Sequence, residues 1–187
     1  MHLIIILGLI AKLALVSGDC EGGNGVSNFD YNKFTGTWSV VYHEADDGED
    51  KLDCAYLSAY RLRNGSRIVS LYYYHDSIKG SVERIAIVPH IDNTGFDLDV
   101  LDPSIWNGRV QFAAVDYKRF YVAKFNATEL RSVRVYVGYR DRHPDEATLN
   151  DAKKALSDNG IDFDTLKSWN SSRCDHFNYK PNRSLEL

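Results

Sequence analysis

The sequence is poor in proline, with four residues in 187, and has one methionine, three cysteines and no excess of basic charge. With so little proline, no Gly/Ser-rich stretch and no internal repeat, nothing marks a linker. Lys and Arg number 22 against 26 Asp and Glu, and the two signs are interleaved along the whole chain. Binding to nucleic acid needs clustered cations to meet phosphate, so that class of partner is excluded. His43, His75, His90, His143 and His176 fall on separate segments without H-x-x-x-H spacing, which leaves neither a metal site nor a cofactor site to expect. No nucleophile stands beside a base, so no catalytic residue is expected and the chain does not read as an enzyme.

One hydrophobic run stands out. His2 to Val16 is almost wholly apolar, carries one charge at Lys12 and leads into Ser17 and Gly18. At about fifteen apolar positions it is shorter than the roughly 20 of a bilayer-spanning helix and ends in small residues, the pattern of a secretory signal peptide. The expectation is a signal peptide over 1–18, one secreted, extracellular domain over 19–187 and no integral membrane segment. Loss of Lys12 leaves 21 basic residues against 26 acidic, a net charge of −5.

Most of the remaining sequence alternates with a period of two. Thr37 to Glu44, Cys54 to Leu62, Ser66 to His75, Ser81 to Val88, Gly95 to Leu101, Arg109 to Tyr117, Arg119 to Phe125 and Ser132 to Arg140 are rich in Val, Ile, Tyr or Phe. Turn residues separate them, Asn64-Gly65 most clearly, where a type I′ hairpin turn is expected. Eight short strands with no intervening helices indicate an antiparallel barrel or sandwich. After the eighth the period lengthens. Pro144-Asp145-Glu146 precedes Ala147, Leu149, Ala152 and Leu156, with Gly160 as a left-handed stop, which predicts one amphipathic helix packed outside the sheet. Val133, Val135 and Val137 are expected beneath it, with Arg134 and Tyr136 on the opposite face.

The opening Asn28 to Trp38, with Gly36 and Trp38 as G-x-W, resembles the start of a lipocalin. Val115-Asp116-Tyr117 followed by Phe120 looks like the second lipocalin motif, with Val in place of Thr, and Arg140 matches the arginine of the third. Order and spacing agree over essentially the whole chain after residue 18. Within the family the spacing from Cys54 to Asn64-Gly65, and Asn159 to Asp162 leading to Cys174, are most similar to the apolipoprotein D and insect bilin-binding branch. The resemblance implies an eight-stranded antiparallel up-and-down barrel with one C-terminal α-helix outside, and a cup that carries a small hydrophobic ligand such as a fatty acid, another lipid or a bilin. It also implies that Arg140 packs across Trp38 at the closed end, a structural role shared with Gly36, Asp116 and Tyr117. A protein-binding lipocalin acting through its open-end loops is the alternative.

The same branch implies a Cys54–Cys174 bridge. Its other bridge needs a cysteine where this chain has Asn126, so Cys20 is left odd, open to linkage with a second chain, to capping by a small thiol or to remaining free. Asn64, Asn126 and Asn170 begin sequons and are expected to be glycosylated, whereas Asn182 also begins one but lies near the end of the chain. Four acids between residues 46 and 50 fall in the first inter-strand loop and read as a solvated surface. For the ligand, strand parity sends Val40 and Tyr42 inward with Trp38, and resemblance with parity adds Leu71, Tyr73, Arg134 and Tyr136. Arg134 is the expected partner of a ligand carboxylate.

Overall fold

The computed structural model describes residues 25–44, 52–101, 106–129 and 132–169, together with Cys174. The signal-peptide segment, Cys20, the acidic stretch at 46–50, Asn170, His176 and Asn182 lie outside these residues.

Eight strands form where alternation and turn residues place them. They are β1 (Gly36–Glu44), β2 (Leu52–Arg61), β3 (Arg67–His75), β4 (Gly80–Ile87), β5 (Gly95–Val100), β6 (Gly108–Asp116), β7 (Phe120–Ala127) and β8 (Ser132–Tyr139). Each pairs antiparallel with its successor, and β1 pairs with both β2 and β8, which closes the sheet into a barrel. Closure removes the unpaired strand edges that an open sheet would leave.

The β2–β3 turn departs from type I′. Gly65 has φ +86°, Asn64 stays on the negative side, and the Gly65 N–H donates to the Leu62 carbonyl at 2.9 Å. That is a three-residue loop, a type I turn closed by a glycine bulge. The Asn64 carboxamide, accepting from the Ser66 N–H at 2.9 Å, holds the turn instead of adopting positive φ itself.

Further elements dress the barrel. A four-residue helix, α1 (Tyr31–Phe34), precedes β1; α2 (Glu146–Asp158) follows β8; and a short strand, β9 (Leu166–Ser168), comes last. Asp145 caps α2 by accepting from the Thr148 N–H at 2.7 Å, and Gly160 at φ +68° ends it. Its buried stripe is Thr148, Ala152 and Leu156, at i, i+4 and i+8, while Ala147 is exposed. The helix lies over β6 and β7. Val135 and Val137 reach the layer beneath it, but Val133, at the start of β8, is 40% exposed and corrects the expectation that all three valines are covered.

β9 explains how the barrel is finished at its open end. β1 pairs with β2 only over Gly36–Ser39, then splays from it, and β9 pairs with β1 over Tyr42–Glu44. The Trp169 N–H extends that ladder by donating to the Val41 carbonyl at 3.0 Å.

Candidate functional site

The closed end is built from the motif residues. Arg140 leaves the end of β8 and its guanidinium carbon lies 3.5 Å from the centre of the Trp38 ring. Its Nε donates to the Tyr117 carbonyl at 3.0 Å, its Nη1 to Thr37 at 3.1 Å, and its Nη2 to the carbonyls of Lys33, Phe34 and Thr35 at 3.3, 3.3 and 3.0 Å. The cation thus satisfies the carbonyls that end α1, a favourable charge at a helix C-terminus. Burial pulls its pKa down to about 10, so it remains cationic at neutral pH.

Gly36 is required by this arrangement. It sits at φ +102°, and a Cβ there would fall 2.9 Å from Arg140 Nη1. The Tyr117 hydroxyl accepts from the Asp30 N–H at 2.7 Å, tying the segment before α1 to the β6–β7 turn. Asp116 holds that turn by accepting from the Lys118 N–H at 2.9 Å and from Arg119 Nε at 2.7 Å. The chemistry here is backbone satisfaction around a buried aromatic floor.

Above that floor the barrel encloses an apolar cavity to which each strand from β1 to β8 contributes. Val40 comes from β1, Leu52 and Leu57 from β2, Val69 and Leu71 from β3, and Arg84 and Ala86 from β4. Leu98 and Val100 of β5, Val110 of β6, the Tyr121, Ala123 and Phe125 row of β7 and Tyr136 of β8 complete the wall, with Trp106 and Trp169 toward the open end. Burial raises the pKa of the Tyr121 hydroxyl well above the ordinary tyrosine range, so it stays neutral. Among the described residues, no group of His, Cys, Asp or Glu could hold a metal ion.

Of the six residues expected to touch a ligand, Val40, Leu71 and Tyr136 line this cavity. Tyr73 is buried beside it, packed with Val40, Leu52, Ala55 and Trp169. Arg134 is not among the described lining residues; its guanidinium lies over the ring of Trp106, which does line the cavity, 5.5 Å from the ring centre. Tyr42 points the other way. A register shift between Val40 and Tyr42 inserts an extra residue in β1, so parity reverses and the Tyr42 ring packs edge-on against Phe163, 5.0 Å away, in the layer under α2. A bulge of this kind carries no signature in an alternating sequence. His43 thereby turns inward, fully buried, and stacks on Trp169 at 4.6 Å.

Most of the lining residues were not among the six expected, Arg84 and Trp169 among them. Arg84 follows the inward parity of Val82 and Ala86, and the alternation of β4 could have assigned it. Trp169 belongs to the tail after β9, and no periodicity signals its entry into the barrel mouth.

Cys54 and Cys174 are bridged, with Cα atoms 5.2 Å apart. Among the described residues no helix is long and apolar enough to cross a membrane.

No protein-family model matches the sequence, and no curated protein matches it. Solved structures do match. The cockroach major allergen Per a 4 superposes with a TM-score of 0.72 at 18% identity, covering 83% of this chain and 96% of the allergen. The amine-binding protein of Rhodnius prolixus, in complex with tryptamine, gives 0.66 at 15% identity over 90% of this chain and 99% of its own. Insecticyanin from the tobacco hornworm Manduca sexta gives 0.67 at 13% identity, covering 83% and 88%. Together with the closed eight-stranded meander, its outer helix and its apolar cup, these likenesses show that the chain has the lipocalin fold.

Proposed function

We propose that the chain is a secreted lipocalin of the apolipoprotein D and insect bilin-binding branch, a carrier that holds a small hydrophobic ligand and catalyses no reaction. The observation that carries this reading is the cavity, a concave wall of aliphatic and aromatic side chains fixed on eight paired strands. Such a wall is organised before the ligand arrives, so burial of the ligand's apolar surface is not offset by ordering of the protein. The Rhodnius prolixus protein, with tryptamine bound, is a precedent for a small molecule on this fold. Val40, Leu71, Tyr73 and Tyr136 are the proposed contacts, with Arg134 a nearby cation held over Trp106.

A hydrophobic fluorophore, N-phenyl-1-naphthylamine, is expected to bind saturably with one site per chain. Leu71→Trp places a larger ring in the cavity and is expected to weaken the probe at least about tenfold, a loss of about 1.4 kcal/mol. Affinity unchanged by Leu71→Trp would place the probe elsewhere.

One observation favours the protein-binding alternative. Ile78, Leu101 and Val133, which are 63%, 64% and 40% exposed, all stand at the open end of the barrel. Exposed apolar side chains on separate segments of one rim are the kind of surface a partner could cover. A chain that folds but binds no hydrophobic probe would support that reading over the carrier.

Asn64 and Asn126 are both exposed. We propose that both carry glycans when the chain is secreted from eukaryotic cells. Enzymatic deglycosylation is expected to lower the mass of the secreted protein, and Asn64→Gln with Asn126→Gln to remove two glycan increments.

A further inference from the structure

The interleaving of charge along the chain breaks at the β2–β3 hairpin. It reads Arg61-Leu62-Arg63-Asn64-Gly65-Ser66-Arg67, with arginine at both ends and no acid between them. The hairpin lies at the closed end, where β1 begins, and away from the mouth of the cup. Arg61 and Arg67 are directly opposite on the paired strands, so both side chains leave the same face of the ladder. Arg61 and Arg63 are exposed; Arg67 is partly buried, and its Nε is buried without a hydrogen-bond partner. Burial raises the pKa of the Tyr31 hydroxyl well above the ordinary tyrosine range, against the opposing pull of the Arg67 and Arg61 charges, which places both cations beside α1. That hydroxyl is already committed, donating to the Ile68 carbonyl at 2.7 Å.

Three other arginines are matched. Arg109 pairs with Asp92 and Asp97, Arg119 pairs with Asp116 and Asp151, and Arg140 donates to backbone carbonyls. Among the described residues no carboxylate pairs with Arg61, Arg63 or Arg67. Like charges directly opposite on a ladder destabilise it, and an oxyanion that bridges the two guanidiniums reverses that effect. The guanidinium fork fits the oxygens of a phosphate, and a sulfate ester presents the same tetrahedral group. The hairpin has fewer cations than the roughly four to eight that mark a segment recruited to an anionic bilayer. A disordered acidic peptide would lose conformational freedom in ordering on the site. A stiff polysaccharide with several sulfates on a short stretch loses less. We propose that the closed end of the barrel binds a sulfated polysaccharide, with one sulfate bridging Arg61 and Arg67, a second on Arg63, and the cup left open at the far end. Asn64 stands between Arg63 and Arg67, so a glycan carried there borders the site.

The test measures binding of a heparin octasaccharide to the full chain at low salt, for the secreted protein and for Asn64→Gln. Both are expected to bind, Asn64→Gln at least as tightly, with affinity falling as salt rises. Arg61→Gln with Arg67→Gln is expected to weaken the octasaccharide at least about tenfold, and Lys153→Gln with Lys154→Gln, which removes the same charge from α2, less than about twofold. Binding of N-phenyl-1-naphthylamine in the cup should be unchanged in every variant, which separates a lost site from a lost fold and keeps the carrier reading independent of this one. Absence of octasaccharide binding would overturn the proposal, and equal losses from the two double variants would do so by reducing the effect to net charge. Equal affinity for a poly-glutamate of the same charge would favour an acidic protein segment. Capture by phosphatidylserine vesicles without octasaccharide binding would favour a lipid surface, and either result overturns the polysaccharide. Binding by Asn64→Gln alone would show that the glycan covers the arginines and would overturn the proposal for the secreted protein.

Discussion

Trp38→Ala is expected to lower the unfolding free energy by about 3–5 kcal/mol, the range for truncating a large aromatic in a packed core. The side chain is fully buried, and the loss is more than area. Phe34 stacks against the indole at 5.0 Å, Tyr121 meets it edge-on at 5.3 Å, and the Arg140 guanidinium lies on the ring. Its Nε1 donates to the Phe34 carbonyl at 2.9 Å, the same oxygen that Arg140 Nη2 reaches. Removal of the ring therefore leaves a cavity, takes one donor from a shared acceptor and strips the arginine of its platform. Trp38→Phe keeps an aromatic face and loses the N–H, so its cost should fall near 1–3 kcal/mol. Urea unfolding followed by far-UV circular dichroism separates the two. A cost below about 1 kcal/mol for the alanine variant would mean that the surroundings collapse onto the vacancy and that the closed end is far softer than its contacts imply.

The distribution of charge between the two ends of the barrel follows from what each must do. At the closed end a cation is used up on five backbone carbonyls and a ring, and this fixes α1 against the barrel. Within the cup, Arg84 lines an otherwise apolar and aromatic wall.

All eight strands were legible in the sequence because most of their residues keep one face to the core and Gly, Asn or Asp stands at the turns. Alternation failed wherever a bulge adds a residue. In β1 the shift between Val40 and Tyr42 sends Tyr42 outward, and in β6 a second shift between Phe112 and Ala114 leaves Ala113 and Ala114 in the layer under α2. Small residues suit that place, since α2 crosses β6 and β7 closely, yet neither alanine signals a bulge by itself. The Asn64-Gly65 pair gave the position of the turn but not its type, because a glycine alone in the left-handed region suffices for a three-residue loop. Val133 obeys parity and is still exposed, since the buried stripe of α2 runs from Thr148 to Leu156 and does not reach the open end of β8. Trp169 was illegible for a different reason. Its place depends on β9 occupying the edge of β1 that β2 leaves, a consequence of barrel closure and not of local pattern.

That tail carries the second large effect. The Cys54–Cys174 bridge spans 120 residues of sequence, and in the chain-entropy account closing a loop of that length stabilises the fold by about 4–5 kcal/mol. The double variant Cys54→Ala with Cys174→Ala is accordingly expected to lose stability on that scale, measured by urea unfolding against the oxidised protein. Cys54 also has φ +54°, in the left-handed region, beside the register shift between Asp53 and Tyr56. A side chain there costs about 1–2 kcal/mol, so Cys54→Gly with Cys174→Ala should recover about that amount relative to the double-alanine variant. The binding consequence is separable. Trp169 precedes Cys174 by five residues, and its ladder bond to Val41 and its stack on His43 are the contacts that hold it over the cavity. If those contacts hold Trp169 without the bridge, probe affinity is unchanged at temperatures where the variant remains folded, and the disulfide acts through the unfolded chain. If the bridge is what seats the tail, affinity falls in both variants alike, because Cys54→Gly relieves the backbone without restoring the tether.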